Sequence, residues 1–246
     1  MIKKLPFFPD LNNRYSGPEA MDDFQSEQSV LNKTLSELTL INRFLSSSTH
    51  LLKKYILAYI ENNECKEISF LDLGAGGGDL ARWFAKEIMK IKVNARIICL
   101  DYDQRCIDFA KENNKEYKEI EYLTMSALDL YTLKFNPDFI FSSHFLHHLD
   151  SAVIPGLLRS IREKANIGFL INDLRRSYLS YSFFFLLWPF FKGKSYTWKD
   201  GLLSIRKGFT VNEMNSFITR AGLPGSARCF PFVPGRIVVT NLKTVH

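Results

Sequence analysis

Cysteine is scarce in this sequence: Cys65, Cys99, Cys106 and Cys229 form no CxxC pair and have no histidine at a zinc-like spacing. That excludes a zinc ribbon and a disulfide framework, and it predicts a reduced, cytoplasmic chain. A long apolar run is missing too. Residues 1–10 carry Lys3, Lys4 and two prolines but lack the apolar middle region of a signal peptide. The most apolar stretch, YLSYSFFFLLWPFF at 178–191, is shorter than the roughly 20 residues a membrane-spanning helix requires. Charge of one sign is nowhere concentrated. The 32 Lys+Arg against 26 Asp+Glu leave a net +6, scattered as pairs such as Lys53-Lys54, Arg175-Arg176 and Arg206-Lys207. A nucleic-acid arm would gather them in one block, so no nucleic-acid partner is expected. With no repeat, low-complexity tract or linker either, the 46% hydrophobic and 24% charged composition points to a globular α/β-sized unit and excludes wholesale disorder.

What is present is periodic. Apolar side chains at Leu31, Leu35, Leu38, Ile41 and Leu45 follow helical three-and-four spacing, and a second helix carries Leu52, Tyr55, Ile56, Tyr59 and Ile60 on one face. Strand-like runs then follow at 68–73, 96–100, 120–124, 138–142 and 167–172, separated by helical or loop stretches. Such alternation is the signature of parallel βαβ units. After a helix near 210–221, two further strands at 227–232 and 236–240 are joined by Pro234-Gly235. A turn that short forces an antiparallel hairpin, because a parallel pair needs a crossover of a dozen or more residues. The expected fold class is therefore α/β, a doubly wound seven-stranded sheet of five parallel strands and a closing hairpin. An N-terminal helical cap at 1–66 and a helical insertion at about 174–206 complete the expected organisation of a domain running over 67–246.

The segment FLDLGAGGGD at 70–79 carries the chemistry. A buried strand runs into Gly74, Gly76 and Gly78 and then into a helix bearing Leu80, Trp83, Phe84 and Ile88. Glycines there let the backbone lie directly against a ligand. A dinucleotide site of the G-x-G-x-x-G type would place its third glycine where Asp79 stands. The next strand ends in Asp101, on the order of twenty residues further on, where a carboxylate can accept both hydroxyls of a ribose.

These residues resemble the class I S-adenosylmethionine (SAM) dependent methyltransferases, whose Rossmann-like fold ends in the same hairpin. The resemblance covers 68–240 and rests on Asp72, Gly74, Gly76, Gly78 and Asp101. It implies SAM as cofactor, held at its amino-acid end by the glycine loop, at its ribose by Asp101 and along its adenine edge by Ser126, Ala127 and Leu128, with Ala75, Tyr102 and Ser143 also among the cofactor-binding residues. Shorter segments, among them PEAMDD at 18–23, SHFLHH at 143–148 and SIRKGFT at 204–210, are similar to bacterial methyltransferases of polyketide, resorcinol and quinone pathways. They imply a small hydrophobic or aromatic acceptor.

Methyl transfer needs an aligned acceptor and, for a hydroxyl, a base. His144, His147 and His148 follow the fourth strand, at the carboxyl end of the sheet where ligands bind. His144 is the first candidate base and His147 the second, with a packing role as the alternative for each. The i, i+3, i+4 spacing of the three histidines permits a metal site, but no acidic or cysteine partner is evident and none is expected. Arg43 is a candidate for pairing with the SAM carboxylate, and Asp173 for orienting an acceptor hydroxyl or capping the following turn. The aromatic segment at 178–191, flanked by Arg175, Arg176, Lys192, Lys194 and Lys199, is either a pocket cover that also makes peripheral membrane contact or a buried core helix.

O-methylation is the leading expectation. C-methylation, a nucleic-acid methyltransferase and a SAM-binding module without turnover are the alternatives. The nucleic-acid reading is weakened because Ser143-His144-Phe145 stands where an Asn/Asp-Pro-Pro-aromatic motif belongs. An oxidoreductase of the short-chain type is excluded, because no tyrosine has a lysine four residues later.

Overall fold

The computed structural model describes residues 9–187, 189 and 195–244. Seven strands form one sheet: β1 Glu67–Leu73, β2 Asn94–Asp101, β3 Ile120–Thr124, β4 Phe139–Ser143, β5 Gly168–Leu174, β6 Arg228–Phe232 and β7 Arg236–Thr240. Their order is β3-β2-β1-β4-β5-β7-β6. The first five are parallel, and β7 runs antiparallel to both β5 and β6. The expected hairpin is therefore present at the edge of the sheet.

Strand side chains alternate between two apolar layers, as the two-residue period dictates. Leu71, Leu73, Ile140, Ile171, Ile237 and Val239 face a core closed by helices α6 (Ile154–Lys164) and α9 (Val211–Arg220). Phe70, Phe139, Phe141, Leu170 and Val238 face the opposite core, closed by α4 (Asp79–Lys90) and a helix over 48–62 that is π-helical at Lys53–Leu57. Being covered on both faces, the strands read as nearly continuous apolar runs. Order reverses between β1 and β4, and a crevice opens there at the carboxyl ends of the strands.

A third apolar cluster roofs that crevice. Ile41 of α1 (Gln28–Phe44), Tyr181 and Phe184 of α7 (Tyr178–Leu186), and Leu202 and Ile205 of α8 (Thr197–Lys207) pack together with Leu11. The contact between α7 and α8 is close: a β-carbon on Gly201 would sit 2.4 Å from the Phe184 ring.

Residues 9–27, which carry no periodic pattern, cross this roof and are tied down by polar contacts. The Arg14 guanidinium donates to the carbonyls of Lys207, His147 and Leu149 and to Ser151 Oγ, at 2.6–2.9 Å. The amides of Ala20 and Met21 both donate to the Asp200 carboxylate, at 3.0 and 2.9 Å. Arg176, buried on α8's flank, donates to the Leu11 carbonyl and pairs with Glu213.

Candidate active site

A cavity of about 900 Å³ runs from the glycine loop, under α1, to the roof formed by α7 and α8. Its floor is the β1 to α4 turn. Gly74, Gly76 and Gly78 all have left-handed φ, of 75°, 52° and 67°, which side-chain-bearing residues adopt at a cost. The last two serve different ends. A β-carbon on Gly76 would find only Leu35, 3.9 Å away, so the bare backbone there fronts open space. On Gly78 it would strike Asn114 Nδ2 at 2.7 Å, so that glycine allows helix α5 (Gln104–Asn113) and its end to close on the loop.

Three carboxylates surround the loop. Asp101 accepts the Gly76 amide at 2.8 Å and the Asp103 amide at 3.0 Å, locking the ends of β1 and β2 together. Asp79, at the start of α4, accepts both hydrogen bonds offered by Asn42 at 3.2 Å. Asp72 is buried and its Oδ2 has no hydrogen-bond partner among the described residues. Burial, then Asp79 and Asp101, push its carboxyl up to about 8, and burial raises Asp79 and Asp101 as well. A cluster of carboxylates strained in this way favours a positively charged ligand. The orphaned Asp72 oxygen, the open space before Gly76 and the acid at the end of β2 fit the sulfonium, amino-acid and ribose parts of SAM.

At the opposite end stand the histidines. His147 is 2% exposed, and its Nδ1 lies 2.6 Å from Asp173 Oδ1. Burial would raise the Asp173 carboxyl, but His147 and Arg236 together hold it well below the usual carboxylate range. It therefore stays ionised, accepts Nδ1–H, and leaves the His147 Nε2 lone pair free. Glu19 Oε1 lies 4.0 Å from that Nε2. Burial lowers the His147 pKa, with Asp173 opposing it.

His144 is bonded the other way. Arg236 Nη1 donates toward its Nδ1 at 3.3 Å, which assigns the neutral ring's proton to Nε2. Burial and then Arg236 hold its pKa well below 6.5. In that tautomer the His144 Nδ1 lone pair is engaged by Arg236, and its Nε2 is buried with no hydrogen-bond partner among the described residues.

His148 faces Asp22, with Nδ1 to Oδ1 at 3.1 Å. Burial lowers its pKa, but Glu19 and Asp22 outweigh this and raise it. Glu19, His147 and His148 present ligand atoms within 4.8 Å of one another, a grouping able to hold a metal ion. The acidic member comes from the crossing segment 9–27, which the local spacing of the histidines does not reveal. Lys207 Nζ, 3.1 Å from Glu19 Oε1, already supplies a cation to it.

Of the residues singled out in the sequence, Asp72, Gly74, Ala75, Gly76, Asp101, Tyr102, Ser126, Ala127, Leu128, Ser143, His144 and His147 line the cavity. Ser126 Oγ accepts the Leu128 amide at 3.2 Å, capping the turn beneath them. Three residues do not line it: Asp173 is buried behind the wall, accepting from His147 and from the Leu174 amide, and the other two are Gly78 and Arg43. Gly78 lies behind the loop, and Arg43 is exposed, with its guanidinium 5.3 Å from the Phe44 ring. The candidate partner of the SAM carboxylate thus lies outside the cavity wall, and its neighbour Asn42 is the one turned inward. Lys192 and Lys194 lie outside the described residues. Asn42, Glu19, Asp22, Asp79 and Arg236 also line the cavity; Glu19 and Asp22 fall within PEAMDD and Asp79 closes the glycine segment, but the sequence assigns none of the five a role at the site.

Residues 70–167 match a family described as a methyltransferase domain. No curated protein matches the chain. Among solved structures, the plantazolicin methyltransferase BpumL in complex with SAH, the demethylated product of SAM, is 15% identical with a TM-score of 0.65, over 92% of this chain and 93% of that one. A candidate O-methyltransferase of Nostoc punctiforme is 19% identical with a TM-score of 0.60, over 93% of this chain and 65% of that one. The CurJ carbon methyltransferase is 14% identical with a TM-score of 0.60, over 87% of this chain and 59% of that one. At these identities the likeness is one of fold.

Proposed function

We propose that this protein is a SAM-dependent methyltransferase that methylates a small, largely apolar acceptor, by O-methylation of a phenolic, polyketide or quinone-type hydroxyl with His147 as the base; the methyltransferase-domain match over 70–167 and the fold shared with BpumL support the reading. SAM supplies, when bound, an electrophilic methyl group on a sulfonium. The observation that carries the reading is His147 in the wall of the same cavity as the glycine loop, its Nδ1 held at 2.6 Å by Asp173, which is buried behind it. Asp173 fixes the tautomer and, with Glu19, stabilises the positive charge that His147 gains on taking the acceptor's proton. The apolar roof, with Leu38, Ile41, Leu45, Phe183 and Phe184 on the cavity wall, excludes water and accepts a hydrophobic body.

The rim has a second character. Leu179, Phe183 and Leu186 of α7, at i, i+4 and i+7, are 83%, 48% and 70% exposed, and Val233 at the hairpin tip is 82% exposed. Flanked by exposed Arg175 and Arg43, this apolar edge suits collection of a lipophilic acceptor from an anionic bilayer. No helix among the described residues is long and apolar enough to cross a membrane.

C-methylation is the second reading, favoured by the fold it shares with CurJ; an acidic C–H would use the same base. The test is turnover on a panel of phenolic and enolic compounds. His147→Ala should lower kcat by about 100-fold or more while SAH still binds, and His144→Ala should lower it far less. Full activity in His147→Ala would remove this mechanism.

A further inference from the structure

Arg236 is among the largest fully buried side chains in the protein, at 2% exposure, and it forms part of the cavity wall. Its surroundings are unusual for a buried cation. Nε donates to Asn172 Oδ1 at 2.9 Å, Nη2 to the Asn172 carbonyl at 2.9 Å, and Nη1 reaches His144 Nδ1 at 3.3 Å. A guanidinium has five N–H donors. Three are engaged and two are not, and among the described residues no carboxylate lies within the 4.0 Å of an ion pair.

The other buried arginines are better supplied. Arg176 pairs with Glu213 at 2.6 Å and also donates to the carbonyls of Leu11 and Gly208. Arg14, half-buried, has four acceptors. The one carboxylate that acts on Arg236, Asp173, has its Oδ1 taken by His147 and the Leu174 amide. Burial accordingly draws the Arg236 pKa down to about 10, a sign of incomplete compensation.

A second cation borders the same end. Arg175 lines the cavity, is exposed at its mouth, and is joined to the hairpin by its amide, which donates to the Gly235 carbonyl at 2.9 Å. Arg236 follows directly on Gly235, so two guanidinium groups from adjoining strands flank one end of the cavity. Of the carboxylates that line the cavity, Asp72, Asp79 and Asp101 surround the glycine loop, Glu19 and Asp22 are occupied by Lys207 and His148, and Asp200 accepts the Ala20 and Met21 amides. Ser177 and Ser180, at the start of α7 and hydrogen-bonded to each other at 2.7 Å, line the cavity as well.

We propose that Arg236 and Arg175 form an anion subsite that selects acceptors carrying a carboxylate or similar organic acid group on their apolar body. The subsite deepens the proposed function by naming the substrate class, and it rests on that reading for the acceptor's presence in the cavity. A planar guanidinium with two free donors engages a carboxylate in two-pronged fashion. The anion would complete the charge balance that the protein leaves open around Arg236.

A carboxylate could also come from SAM itself, and the experiment separates the two sources. Hydroxybenzoate and its neutral amide, hydroxybenzamide, are titrated calorimetrically into SAH-saturated protein, after SAH affinity has been measured alone. The acid should bind about tenfold tighter than the amide. Arg175→Gln and Arg236→Lys should each erode that preference several-fold while leaving SAH affinity within about twofold. Arg236→Met should abolish it; if that variant does not fold, the other two carry the test. Equal binding of acid and amide, no acid binding at millimolar concentration, or a loss of SAH affinity with the preference intact would each overturn the subsite. Failure of SAH itself to bind would instead strike the proposed function.

Discussion

Two buried acids and one imidazole set the chemistry at the residue scale. Because burial lowers the His147 pKa below 6.5, the ring is neutral, and able to accept a proton, at neutral pH. The acid limb of the kcat/KM profile should therefore fall below the ordinary histidine range and activity should plateau before pH 7, read from initial rates between pH 5 and 9; a limb centred above 7 contradicts the assignment. Asp72 behaves in the opposite sense. With its carboxyl raised to about 8 from 3.8, the folded protein keeps a proton that the unfolded chain loses, so this group lowers stability as pH rises from about 4 to about 8. A bound sulfonium favours the ionised form. SAM affinity should therefore rise with pH up to about 8 and then level off, more steeply than that of uncharged-sulfur SAH, and Asp72→Asn should flatten the difference; parallel pH profiles for the two ligands would remove Asp72 from the cation site. The DLGAGGG run and Asp101 were legible as such a site because a glycine turn between a strand and a helix has few other uses. Arg43 misled, since helical spacing says which face is apolar but not which polar neighbour turns inward, and Asn42 is that neighbour.

The elements follow from periodicity, and they differ in how well their outer faces are used. The seven strands lie within two residues of the sequence reading, since a strand buried on both faces is apolar throughout and its ends are marked by glycine or charge. Helix α7 is the exception to simple patterning: Tyr181 and Phe184 pack inward, Leu186 faces outward, and Leu179 and Phe183 stand exposed at the rim of the cavity. A continuous aromatic run conceals which face is buried, and so pocket cover and core helix were equally readable. The outward stripe predicts binding to vesicles containing anionic phosphatidylglycerol, measured by flotation. Replacing Leu179 and Leu186 by Asp together should abolish it, and wild-type protein that remains with the aqueous fraction would contradict the bilayer route.

For the whole molecule, the crossing segment 9–27 joins parts that the chain order separates. Glu19 and Asp22 reach the histidines from about 125 positions away, and no local pattern announces this, because the contacts are polar and non-repeating. Arg14 is its main tie. Arg14→Ala leaves four acceptors unmet and should cost about 2–4 kcal/mol, seen as a lower thermal midpoint and faster proteolysis of the N-terminal segment; an unchanged midpoint would show the segment to be held by other contacts. Above this, the account depends on the acidic glycine crevice between β1 and β4 accepting a charged nucleoside. Calorimetric titration of SAH into the purified protein tests that most directly. One molecule per chain should bind, with binding lost in Asp101→Ala; a flat titration for the wild type, or equal affinity in the variant, would contradict it.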